Sequence, residues 1–97
     1  MRIFSDEEAL DDLDGIHARI AKDNLTSADS TVDRIYDQIE TLGRLPRLGH
    51  HGRARGTFEW VVVESSHVVV YEIDPERDEL IVTGVFRGSQ QIRRSAS

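Results

Sequence analysis

Two valine triplets, Val61-Val62-Val63 and Val68-Val69-Val70, flank a Ser65-Ser66 pair. No other feature of the chain limits its fold as strongly. β-Branched residues favour extended backbone, and two such runs around a short polar break read as a β-hairpin. A hairpin on a protein surface alternates apolar and polar residues, so that one face meets the core and the other meets water. These two runs barely alternate. Both faces of the hairpin therefore need cover.

Three strands are predicted at roughly 56–64, 67–73 and 79–87, with Asp74-Pro75-Glu76-Arg77-Asp78 as the second turn. If Ser65-Ser66 is a two-residue turn, Glu64 faces His67, Trp60 faces Tyr71, and Ile81 lies beside Tyr71. One face then carries Phe58, Trp60, Val62, Val69, Tyr71, Ile73, Ile81 and Val85. The other carries Val61, Val63, Val68, Val70, Leu80, Val82 and Phe86, with Glu59 and Glu72 as its charges.

The N-terminal half supplies cover for one face. Arg2-Ile3-Phe4 suits an edge strand, and Ser5 precedes Glu8 at the spacing of a capping box. Ala9, Leu10, Leu13, Ile16, Ile20 and Ala21 make one helical stripe that ends near Asp23-Asn24. Gly15 inside it suggests close helix packing. Thr26 or Ser27 is placed to cap a second helix with the stripe Ala28, Val32, Ile35, Tyr36, Ile39 and Leu42, and Gly43 to stop it. Two amphipathic helices with a short join form an antiparallel hairpin. The expected fold is thus α+β: a helical hairpin packed on a small antiparallel sheet. Between the halves, Leu45-Pro46-Arg47-Leu48-Gly49 and His50-His51-Gly52-Arg53 read as an irregular connector. One domain over 1–90 and a flexible tail over 91–97 are expected.

Charge and composition narrow the partners. The net charge is −6, which argues against generic nucleic-acid binding through phosphate neutralisation, and no direct sequence-specific nucleic-acid binding is expected. Residues 1–42 hold eleven acids against four bases, a net of −7, while 43–97 hold seven against eight, a net of +1. Arg44, Arg47, Arg53 and Arg55 meet no acid within 43–57, so the connector is a candidate contact for an acidic partner. There is no cysteine, no apolar run of roughly eighteen residues, and no leader-like N-terminus, so a cytoplasmic protein with no membrane association is expected.

The order of strand, helix pair, basic Pro/Gly connector and hairpin sheet resembles the ParE/RelE toxin superfamily of type II toxin–antitoxin systems. The likeness to the ParE branch lies in Ala9, Asp12-Leu13 and Ile16, then Asp33-Arg34-Ile35 and Ile39. It continues through the Pro46…Gly49 connector, Gly56-Thr57 with Glu59, Val69-Val70-Tyr71, and Val85 with Gly88. Departures are Phe58 where ParE-like chains usually carry arginine, Arg87 where histidine is common, and His67 where an aromatic begins the strand. The resemblance implies a toxin acting on DNA gyrase, without catalytic residues or cofactor, and neutralised by an antitoxin whose disordered arm folds onto it. It also raises two alternatives: a RelE-like ribosome-dependent mRNA endoribonuclease, and an inactive module keeping only the fold.

For the ribonuclease alternative the candidate acid, base and cations are Glu59, His67, Arg55 and Arg87. Glu59 and His67 share a sheet surface only in some registers. His50-His51 are adjacent residues of a loop and point apart, so no metal site is expected. The expected antitoxin or target contacts are Arg53, Arg55, Val61, Val63, Val68, Val70 and Arg87, the arginines guiding an acidic arm and the valines being covered by it.

Overall fold

The computed structural model describes residues 1–88; the expected tail over 91–97 lies outside them. The chain runs β1 (Arg2–Ser5), α1 (Glu7–Ala21), α2 (Leu25–Arg44), β2 (His50–His51), β3 (Phe58–Val61), β4 (His67–Asp74) and β5 (Glu79–Arg87). The fold is α+β as expected, with the helix pair on one sheet of order β1-β5-β4-β3-β2. The sheet is mixed rather than purely antiparallel, because β1 runs parallel to β5.

That parallel pairing moves the first helix start. Ser5 is held extended opposite Val82, and the Asp6 amide donates to the Val82 carbonyl at 3.0 Å. Asp6, not Ser5, is therefore the N-cap, its carboxylate accepting from the Ala9 amide at 2.9 Å. Ala9, Leu13 and Ile16 are buried along α1. The helix ends at Ala21, short of the expected Asp23-Asn24, since Asn24 caps α2 by accepting from the Ser27 amide at 3.0 Å. Thr26 and Ser27 lie inside α2. Ala28, Ile35, Ile39 and Leu42 form its buried stripe; Val32 is half-buried and Tyr36 exposed.

Both helix glycines behave differently from expectation. Gly15 has open space where a side chain would sit, so it marks no close packing. Gly43 does not end α2, which continues to Arg44. Gly43 is buried where a Cβ would stand 2.6 Å from Ile3 Cδ1, so the close approach belongs to this glycine.

The sheet register departs from expectation in two ways. Trp60 pairs with Val69 and Phe58 with Tyr71, a slide of two residues from the expected Trp60–Tyr71 pair. The connection is not the two residues Ser65-Ser66 but the five residues 62–66, with Glu64 in the left-handed region at φ 60°. A two-residue slide keeps every side chain of β3 and β4 on its face. The second departure does not. Val70 pairs with Gly84 but Tyr71 with Val82, leaving Thr83 as an extra residue in β5. This bulge reverses the alternation in the first half of β5. Leu80 and Val82 turn under the helices and are fully buried, while Ile81 lies opposite Glu72 on the far face.

The core consequently joins Ala9, Leu13 and Ile16 of α1 and Ile35, Ile39 and Leu42 of α2 to Val69, Tyr71, Leu80, Val82 and Val85. Each large apolar side chain buried there contributes about 1.5–3 kcal/mol. None of the helices described is long and apolar enough to cross a membrane.

Candidate functional site

Tyr71 organises the connector. Its hydroxyl donates to the Pro46 carbonyl at 2.7 Å and accepts from the Gly49 amide at 3.1 Å. Burial pushes its pKa above the ordinary tyrosine value, against the smaller opposing effects of the Gly49 amide and Arg47. A Cβ at Gly49 would stand 2.5 Å from the Tyr71 hydroxyl and 2.7 Å from the Glu59 carbonyl oxygen, so only glycine fits. Thus anchored, the connector is not wholly irregular: His50 and His51 form β2 against Glu59 and Phe58.

The histidines of β2 point to opposite faces. His51 stacks on Phe58 with ring centroids 5.1 Å apart, and Phe58 stacks on Tyr71 at 5.5 Å. The Arg47 guanidinium lies 6.0 Å from the Phe58 ring centre. On the other side, His50 Nε2 is 3.9 Å from the Glu59 carboxylate, which also accepts the Arg53 amide at 3.3 Å. Glu59 is buried at 5% exposure beneath this loop. Arg44, Arg47, Arg53 and Arg55 are all exposed, so the connector presents a basic surface on an acidic protein.

At the other end of β3, helix α2 grips the turn over 62–66. Gln38 Oε1 accepts both the Trp60 indole N–H at 2.8 Å and the Val63 amide at 3.2 Å. Arg34 donates to the Glu64 carbonyl at 3.0 Å. The sequence reading missed both side chains, although two polar residues four apart on a helix share a face. Val61 and Val63 beside them remain 53% and 51% exposed.

The expected contact residues do not form one continuous surface. Val61 and Val63 are open, but Val68 is buried, and Val70 and Phe86 are half-buried. Leu80 and Val82 leave the apolar face altogether because of the β5 bulge. Arg53 and Arg55 lie on the connector, before the end of β3 that pairs with Tyr71. Arg87 pairs with His67 at the opposite end of β4.

Nor does the sheet bring the candidate acid–base pair together. Glu59 pairs with Val70 and projects to the far face, whereas His67 shares the alternation of Val69 and Tyr71, on the helix side. His67 is 6% exposed, and its Nδ1 lies 2.7 Å from Ser65 Oγ. Its pKa is held below the ordinary histidine value by burial first, then by Arg19 and Arg87. The imidazole is therefore neutral at pH 7, packed against the core end rather than open to a substrate.

The sequence model of the ParE toxin of type II toxin–antitoxin systems matches residues 3–92. "Putative toxin Y4kP" of Sinorhizobium fredii is 36% identical over 83 residues, covering 86% of this chain and 83% of that relative. The fold is similar to that in a chromosomal ParDE system from P. aeruginosa, with a TM-score of 0.78 at 17% identity over 90% of this chain and 95% of that one. A chain of the intact E. coli RelBE toxin–antitoxin complex superposes with a TM-score of 0.61 at 16% identity, over 89% and 94% of the two chains.

Proposed function

The chain belongs to the ParE toxin family of type II toxin–antitoxin systems, and from that premise we propose that it is a cytoplasmic toxin that binds DNA gyrase and is neutralised by a cognate antitoxin. It acts without catalytic residues of its own. The observation that supports this over RNA cleavage is the placement of Glu59 and His67 on opposite faces of the sheet. Cleavage through a 2′-hydroxyl needs a proton acceptor and donor at one phosphate. Here one candidate lies under the connector and the other against the helices.

The antitoxin contact is proposed at the surface left open: Arg53 and Arg55 on the connector, with Val61 and Val63 at the end of β3. An acidic disordered arm would be guided by the arginines and would cover the valines as it orders. Val68 and Val70 add less than the sequence suggests, because the free chain already buries most of their surface. Arg87 is a target contact in this scheme; it lies at the Val61 end of the sheet, away from the connector arginines.

Induction of the chain in cells, alone and together with the protein of the neighbouring reading frame, tests the assignment. Filamentation with DNA damage, relieved by the neighbour, is expected. Translation arrest with cut messages would transfer the chain to the ribonuclease class, and no effect on growth would make it an inert module.

A further inference from the structure

His67 is the first residue of β4 and closes the turn over 62–66: its carbonyl accepts the Val62 amide at 2.9 Å. Ser65 Oγ accepts the His67 amide at 3.2 Å and lies 2.7 Å from Nδ1. The one hydroxyl thus serves both the backbone and the ring of His67. Nε2 is fully buried and has no hydrogen-bond partner among the described residues. The charged side chains acting on the ring are both cations, Arg19 from α1 and Arg87 from β5. From α2, Arg34 reaches the same turn, on the Glu64 carbonyl.

Among the described residues, no carboxylate acts on the ring beside the Arg19 and Arg87 cations. A second ring proton would charge a ring whose Nε2 is buried without a partner among the described residues, with two other cations acting on it. The ring can escape only by leaving its site. Its backbone is tied to the turn, and the end of β5 is tied there too, since the Gly88 amide donates to the Ser66 carbonyl. We propose that His67 is an acid-operated latch, whose protonation releases the turn over 62–66 and the end of β5 while the helix-covered core stays folded. The latch is independent of the toxin's target.

The sign follows from linkage. An unfolded or released histidine takes up its proton near the ordinary value of 6.5, and the latched ring resists it. The closed turn is therefore fully stable above that pH and is lost as pH falls through the lower value of the latched ring.

Amide exchange and His67 ring shifts, followed by NMR on the full chain from about pH 7.5 to about pH 5, read the latch directly. Protection at Val62 and Gly88 is expected to fall at least about tenfold as His67 titrates, with Ile35 and Ile39 unchanged. His67→Gln should remove the pH dependence. If that variant fails to fold, Arg19→Ala, on the exposed side of α1, should move the midpoint upward. Turn protection that does not follow the His67 titration, or that keeps its pH dependence in the variant, overturns the proposal. Loss of helix and turn protection together would also overturn it, as that is global unfolding.

Discussion

The Asp12 carboxylate accepts the Val85 amide at 3.0 Å, joining α1 to β5 across 73 positions of sequence. β1 runs beside β5 only as far as Ser5 opposite Val82. Beyond that point the helix replaces the strand, and its side chain meets the next amide on the sheet edge. Asp12→Ala leaves that amide without its acceptor, at a cost of about 1–3 kcal/mol; Asp12→Asn keeps an acceptor and should cost less. Urea denaturation of the two variants checks the order.

Tyr71→Phe removes both hydrogen bonds between its hydroxyl and the connector and should cost about 1–3 kcal/mol. It should also change the alkaline limb of the stability curve. Unfolded tyrosine ionises near 10, while the folded hydroxyl keeps its proton to higher pH, so stability is present below 10 and declines as pH rises through the folded value. In Tyr71→Phe that part of the decline should be absent. Denaturation curves on either side of about pH 10 measure it.

Gly15→Ala and Gly49→Ala should have opposite effects. Gly15 is helical, exposed and clear of neighbours, so alanine there should stabilise by up to about 1 kcal/mol. At Gly49 the added carbon meets the Tyr71 hydroxyl at 2.5 Å and backbone at 2.7 Å. The connector must then shift, with a loss of melting temperature that thermal scans will show.

The helix pair was legible because its apolar stripes are long and periodic; Leu13, Ile16, Ile35 and Ile39 are buried as their spacing implies. The caps were less legible, since Ser5, Asp6, Asn24 and Thr26 are all competent and tertiary pairing chooses among them. Face assignment failed in the first half of β5. Nothing local in Leu80-Ile81-Val82 announces the bulge at Thr83 that follows, and in a run of apolar residues alternation carries little information. At the candidate site, the basic connector was visible in the charge pattern. The ring column of Tyr71, Phe58 and His51 was not, because it depends on the register that places Phe58 opposite Tyr71.

Growth inhibition should survive His67→Ala and Glu59→Gln in proportion to the folded protein each variant yields. Glu59→Gln retains an oxygen for the Arg53 amide and is the milder of the two. Titrating inducer against growth, with soluble protein measured in parallel, separates loss of fold from loss of function. A loss of toxicity in well-folded variants would point to general acid–base chemistry, where removing one group typically costs about 10²–10⁴-fold.

The most direct test of the central claim is the supercoiling of relaxed plasmid by purified gyrase and ATP in the presence of the purified chain. Inhibition that rises with chain concentration, and is reversed by the cognate antitoxin, is the predicted result. Undisturbed supercoiling, with message cleavage by the same preparation in a translating extract, would contradict it.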